Sequence, residues 1–456
     1  MAEQGVKRHA FKDNVNLLSP VQATEILRAN EMSRILTRSG AVKAVEWNQL
    51  GSNIPIEDTL AVAHCKHSKG MLFGVFDGHS GPYCARVLSN WMFPYIATAL
   101  TPIKELQNIF SAEHSKDVRD ELLENVTENI ALVPELHEVY TRSLRKYAAE
   151  KLKTDSTLFE TTLFDDAGVG KDALADDVIN DAAASLEQAF LRLDDDLSRE
   201  ALASTKDQKI AFETMAAALS GAVSNVAHVH NNILSVANVG DCQTVLGSLG
   251  EGNKWISTRL SSKHTTENQL ELNRVFSEHP PKERNSVIVG DRLLGHLMPL
   301  RAFGDFLFKW SKEVIQEHVI PYFRNVAAPL NYHTPPYLTV RPEIRQHRLS
   351  DKDKFLILAT DGLWDFLTPS EAVKIVGEHL LGHEAPEDVN AATHLLRHAL
   401  AGTAAGLDHD MLAKLLTIPK EIVRNYRDDI SVVVVYFDSE YLQKYPFQTE
   451  ISAQAA

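Results

Sequence analysis

Cysteine is scarce in this chain: three residues in 456, Cys65, Cys84 and Cys242, with no CxxC pair among them. An odd and scattered set argues against a disulfide framework or a thiolate zinc site and favours a reducing compartment. No apolar run approaches the ~18 residues of a membrane-spanning helix, so no membrane span is expected. Basic charge is in deficit. Lys and Arg number 46 against 61 Asp and Glu, a net charge of −15, which argues against a nucleic-acid binder. The opening residues MAEQGVKRHAFKDN have no apolar stretch of the secretory kind, and Glu3 and Asp13 interrupt the basic residues that a transit peptide needs. That leaves two alternatives, a cytoplasmic chain or one whose targeting segment is missing from this form. Internal repeats and low-complexity segments are absent as well.

What is present is an ordinary globular mixture, 44% hydrophobic. Short apolar runs alternate with helical patterns. The runs 71–76, 219–229, 233–237, 244–246, 354–359 and 430–437 read as strands, several bounded by Asn, Gly and Asp turn residues. Residues 180–199 read as a helix, with Ala183, Leu186, Phe190, Leu193 and Leu197 on one stripe. Thr368-Pro369-Ser370-Glu371 is a capping box that starts a helix running to about Leu381. Residues 387–400 read as another helix, stopped near Gly402. The sum is an α+β chain. Three stretches look like insertions into one domain: 101–177, 313–336 and 383–420. The domain itself spans 43–439, between an N-terminal extension (1–42) and a C-terminal tail (440–456).

Carboxylates stand at strand ends repeatedly. Asp77 ends one apolar run and precedes Gly78-His79-Ser80-Gly81; Asp361 ends another and precedes Gly362 and, further on, Asp365. Asp241 lies in a Gly-Asp turn, Asp428-Asp429 precede the last strand, and Glu57-Asp58 precede another. A single Asp-Gly is often only a turn. Repeated at strand ends, such residues can converge at one edge of a sheet, where oxygen ligands suit hard cations such as magnesium or manganese. Paired cations about 3.5–4 Å apart are a common device for phosphate-ester hydrolysis.

At this point the motifs match a known family. PIED (55–58), VFDGHSG (75–81), SVANVGD (235–241), RAFGD (301–305), LATDGLWD (358–365) and RDDISVVVVYF (427–437) occur in the order found in the PPM-type metal-dependent serine/threonine phosphatases, which the chain resembles. The resemblance implies a central β-sandwich of two antiparallel sheets flanked by helices, with a binuclear metal centre at one end. Longer stretches are similar to the mitochondrial pyruvate dehydrogenase phosphatase subgroup: LSPVQATEILRANE (18–31), DRLLGHLMPLRAFGDFLFKW (291–310), NYHTPPYLTVRPE (331–343) and NAATHLLRHAL (390–400).

By this resemblance Asp77 and the Gly78 carbonyl hold two divalent cations, magnesium or manganese, with Asp77 bridging. Asp361 and Asp428 complete one shell, and Glu57 lies at the other. Asp241 and Asp365 match a third, weaker metal site. Asp58 is expected to orient His79 or a bound water, and His79 to act as general acid, because a serine alkoxide leaves poorly without a proton. His79 as a simple turn cap is the bland alternative. Cys242 has no phosphate-cradling loop around it and makes a poor nucleophile. Two departures from the family stand out. Gln243 replaces a frequent arginine, and Asn53, four residues before Glu57, stands where many members carry a phosphate-clamping arginine.

The subgroup further implies several partners. These are the phosphorylated pyruvate dehydrogenase component as substrate, the lipoyl domain of the dihydrolipoyl acetyltransferase core through calcium-linked docking, and a regulatory subunit. It also implies a mitochondrial matrix location. Asp351 and Asp353 have DxD spacing, yet Phe355 and Leu356 exclude an EF-hand loop. The alternatives are the same chemistry on another phosphoprotein, or a catalytically inert scaffold. Intact carboxylates at the main ligand positions argue against the scaffold.

Overall fold

The apolar runs become strands because period-two alternation lets one strand serve two cores. In the computed structural model, which describes residues 17–36, 40–68, 70–111, 117–162, 174–203, 208–323, 326–382, 389–403 and 406–445, the sheet strands are β1 (Met32–Ile35), β2 (Val42–Leu50), β3 (Thr59–Cys65), β4 (Met71–His79), β5 (Leu123–Asn125), β6 (Gly221–His230), β7 (Ile233–Val239), β8 (Gln243–Leu249), β9 (Trp255–Arg259), β10 (Phe303–Gly304), β11 (Glu343–Arg348), β12 (Asp353–Ala359) and β13 (Ile430–Phe437). One sheet runs β1-β2-β13-β12-β8-β9. The other runs β11-β7-β6-β4-β3-β5, with β10 beside β6. Neighbours in both sheets are antiparallel.

The helices used below are α1 (Pro20–Arg28), α2 (Tyr83–Leu100), α3 (Pro134–Thr162), α4 (Leu174–Leu202), α5 (Gln208–Leu219), α6 (Gln269–Glu278), α7 (Asp361–Trp364), α8 (Pro369–Leu381), α9 (Ala391–Ala401) and α10 (His409–Thr417). Helix α2 lies on β3, β4 and β6, with α4 and α5 beside it, while α8 and α9 cover the first sheet. Strand β13 shows the layering most directly. Val433, Val435 and Phe437 enter the large core that includes both sheets and α2. Ile430, Val432, Val434 and Tyr436 enter a second core with Val376, Leu395 and Leu396 of α8 and α9. A strand buried on both faces reads as a near-continuous apolar run, and this one does apart from Ser431. The α+β class and the flanked sandwich implied by the family resemblance are the observed architecture.

Helix α8 begins at Thr368, whose hydroxyl accepts from the Glu371 N–H while the Glu371 side chain accepts from the Thr368 N–H; it ends at left-handed Gly382. Helix α9 starts at Ala391 behind an Asn390 cap. The earlier start expected for it falls partly on residues 383–388, outside the described residues. The described residues of the apparent insertion 101–177 include a long helix. Helix α3 buries Tyr140, Leu144 and Tyr147, a helical spacing that surrounding charge obscures. At the other end of the chain, α1 packs against α9 and α10, and β1 extends the first sheet, so the described part of segment 1–42 is built onto the sandwich.

Ile357 of β12 is fully buried in the second core. Ile357→Ala should lower stability by about 2–5 kcal/mol, the range for deleting such a side chain from a packed core. Urea denaturation should show a lower midpoint at unchanged slope.

Candidate active site

Strand register brings the acidic residues to one end of the sandwich. Ala359 of β12 lies opposite both Val432 of β13 and Gln243 of β8. Residues just beyond those positions, Asp361, Asp428 and Asp241, therefore leave the first sheet along the same edge. In the second sheet Asp77 pairs with Val223, and Val239 lies opposite Ser224, which carries Asp77 and the Gly240-Asp241 turn to the same end. Four chain segments with little sequence proximity thus deliver carboxylates to one place.

Burial and crowding set their charge behaviour. Asp77 is pushed well above the usual carboxylate range, first by burial and then by the charges of Asp361, Asp58, Asp241 and Asp428. Asp361 rises to about 8, from burial followed by Asp241, Asp428 and Asp365. Burial also lifts Asp241, against the nearby charge of Lys263. It lifts Asp428 too, although Arg424 pairs with that carboxylate at 2.6 Å. Asp361 Oδ1 is buried with no hydrogen-bond partner. Among the described residues, no group of three His, Cys, Asp or Glu side chains is closed into a ready metal cage. The donor set still fits hard cations: it is all oxygen, it repels itself, and it contains an orphaned carboxylate oxygen. Gly78 belongs to the same fit, because a Cβ there would lie 2.5 Å from the Glu57 carbonyl oxygen.

Asp429, to which sequence reading gave no role, braces the Glu57 loop. Its Oδ1 accepts from the Ser52 N–H at 2.5 Å and the Asn53 N–H at 2.8 Å. Its Oδ2 accepts from the Glu57 N–H at 2.8 Å and Asn53 Nδ2 at 3.0 Å. Arg427 supports the same loop through the carbonyl of Gly51 and the Ser52 hydroxyl. Glu57 Oε1 then accepts from the Gly81 N–H at 2.7 Å, and burial raises its pKa against that bond. Asn53 is thus held by Asp429, with one amide hydrogen and its carbonyl oxygen left for other contacts.

Asp58, expected to orient His79 or a bound water, makes its bonds to two hydroxyls. Its Oδ2 accepts from the hydroxyls of Thr360 and Ser431, both at 2.8 Å, which ties the Glu57 loop to the starts of α7 and β13. The partner of His79 is Asp305, with Nε2 at 2.6 Å from Oδ2. Burial alone would pull the imidazole down; the Asp305 carboxylate, with Asp241 and Glu57 further off, more than reverses this and leaves it raised. The pair rests directly on Gly221, where a Cβ would fall 2.1 Å from Asp305 Oδ2 and 2.2 Å from His79 Nε2. The signal for Asp305 was available in RAFGD, but nothing local to that motif says that it meets His79. Cys242 is buried, and burial together with the charges of Asp77 and Asp241 pushes its thiol far up, away from nucleophile chemistry. Asp353 closes a turn by accepting from the Ser248 hydroxyl and the Ser350 N–H.

The chain is similar to known phosphatases. The family model described as protein phosphatase 2C matches residues 129–406, a span that holds Asp241, Asp305, Asp361 and Asp365. Pyruvate dehydrogenase (acetyl-transferring)-phosphatase 1, mitochondrial, of Rattus norvegicus is 38% identical over 97% of this chain and 87% of its own length. The Homo sapiens protein of that name is also 38% identical, with the same coverage. The Homo sapiens phosphatase 2 of the same series is 37% identical over 94% of this chain and 85% of its own length. A solved serine-threonine phosphatase 2C from Toxoplasma gondii covers 90% of this chain and 99% of its own at 16% identity and a TM-score of 0.46. From the family model and the near full-length relatives together, the chain belongs to the protein phosphatase 2C family of metal-dependent serine/threonine protein phosphatases.

Proposed function

We propose that this enzyme removes phosphate from serine of the pyruvate dehydrogenase component, so reactivating that complex, with two magnesium or manganese ions as its working metals. The observation that carries the substrate is identity of 37–38% to proteins of that name over nearly the whole chain, insertions included. The same relatives carry "mitochondrial" in their names, which supports a matrix location, and docking to a lipoyl domain or a regulatory subunit belongs to the same reading.

Asp77, Asp361, Asp428, Glu57 and the Gly78 carbonyl would hold the two cations, and Asp241 and Asp365 a third. Bound cations supply the positive charge that acidifies an attacking water and draws charge from the phosphoryl oxygens. The chain's own groups do the rest. Asp429 and Asp58 fix the Glu57 loop against the first sheet, so the carboxylates meet the substrate pre-positioned. His79, half-buried at the rim, gives a proton to the departing serine oxygen. Asn53 offers hydrogen bonds but no charge to the phosphoryl group, so affinity rests more on contacts made by the protein substrate.

On phosphorylated pyruvate dehydrogenase, kcat/KM should exceed that on unrelated phosphoproteins by at least about tenfold, roughly 1.4 kcal/mol of discrimination. A flat profile across a substrate panel would remove the assignment of substrate and leave the phosphatase chemistry untouched.

Activity should disappear with a chelator and return with magnesium or manganese. Asp361→Asn should lower kcat by several orders of magnitude with the fold retained by circular dichroism; a near-normal rate would strike Asp361 from the ligand set.

Asn53→Arg should lower KM for a small aryl phosphate by adding a charged fork for the phosphoryl group, and should help the protein substrate less. If KM for the aryl ester does not move, Asn53 serves only as a brace on Asp429.

A further inference from the structure

The contact between His79 and Asp305 ends a chain of buried polar groups that begins on helix α4. Asp194 is buried on that helix, beside Leu193 and Phe190 of the core. Its Oδ1 accepts from the Gly304 N–H at 2.9 Å and from Lys309 Nζ at 2.9 Å, and its Oδ2 accepts from the same ammonium at 2.8 Å. Lys309 Nζ also donates to the Ala302 carbonyl at 2.9 Å and lies 4.7 Å from the centre of the Phe306 ring. One carboxylate and one ammonium therefore bind both the start and the end of the turn that carries Asp305.

That turn needs holding. Gly304 and Asp305 are both left-handed, with φ of +64° and +50°. A non-glycine residue in that region keeps its conformation only where surrounding contacts impose it. The Asp305 N–H donates to the Ser220 carbonyl at 3.0 Å, and Ser220 precedes Gly221, the residue on which the pair rests. A buried ion pair is weak support for stability as such, since desolvation offsets its attraction. Here its bonds go to the backbone around Asp305, which indicates alignment.

We propose that Asp305 is the positioning residue for His79, and that the buried Asp194–Lys309 pair acts through Asp305 to fix the imidazole ring for proton donation. The proposal rests on the reading of His79 as general acid. Asp305 keeps the Nε2–H, so the proton given up comes from Nδ1. As water oxygen bonds to phosphorus and the bond to the serine oxygen breaks, that proton passes to the serine oxygen. The ring is left neutral with its remaining proton on Nε2. The attacking water loses its own proton to solvent, and solvent recharges Nδ1.

Asp305→Asn keeps the size of the side chain and removes its charge. Asp194→Asn combined with Lys309→Met neutralises both buried partners, so neither charge is stranded. Each should be assayed in the metal-loaded full chain on a phosphoserine peptide and on 4-nitrophenyl phosphate, whose leaving group needs no proton. Asp305→Asn should lower kcat on the phosphoserine peptide about 10–100-fold, within the scale of general-acid help, at little change in KM. The aryl ester should lose less than about threefold, because its leaving group is indifferent to the acid. The neutralised pair should show the same selectivity, and neither change should add to the loss caused by His79→Ala. Equal losses on both substrates, or a loss that adds to that of His79→Ala, would overturn the proposal if His79→Ala is itself selective. Selective loss in Asp305→Asn alone would remove Asp194 and Lys309 from it. An unselective His79→Ala would remove the acid role of His79, and the proposal with it.

Discussion

Mutual repulsion among buried carboxylates is the constraint around which this molecule is arranged. Burial lifts Asp77, Asp361, Asp241 and Asp428 out of their usual range, and neighbouring carboxylates, Asp365 among them, add to the shift. On Asp361 one buried carboxylate oxygen is left with no hydrogen-bond partner. A folded chain retains such a cluster only where the rest of the fold is stable enough to carry it, and where something of opposite charge relieves it. The sandwich provides the first condition. Its two continuous cores hold β12 and β13 on both faces and so fix the edge from which the acidic residues project.

Around that cluster stands a set of carboxylates with a different duty. Asp429, Asp58 and Asp194 accept from backbone amides, hydroxyls and an ammonium, and so are satisfied within the protein. They hold the loops that bear Glu57, Asp361 and Asp305. The bracing acids thus keep in place the acids that can take cations, of which Asp428 also pairs with Arg424 and Glu57 with the Gly81 N–H. Gly78 and Gly221 permit the close approaches that both groups need, since a Cβ at either would collide with backbone or with the His79–Asp305 pair.

Much of this was legible in the sequence, because the information was local. Capping chemistry at Thr368 set the start of α8, and the apolar run 430–437 read as a strand. The acidic strand ends could be collected as candidates one by one. What remained hidden was pairing across long separations. Asp305 lies 226 residues from His79, and Asp429 lies 376 residues from the Asn53 that it braces. Asp58 was expected from the family resemblance to orient His79 or a bound water; its side chain accepts from Thr360 and Ser431, while His79 pairs with Asp305. Helix α3 was obscured for another reason: dense surface charge diluted the spacing of its few buried residues.

The central claim, that the cluster is built for cations and is a strain without them, is tested most directly by thermal unfolding of wild type and Asp77→Asn, each with and without magnesium. Removing one repelling charge should raise the melting temperature of the metal-free protein, and magnesium should stabilise wild type more than the variant, because binding to the folded state alone shifts unfolding. A metal-free Asp77→Asn protein that melts below metal-free wild type, with equal magnesium shifts for both, would contradict the account.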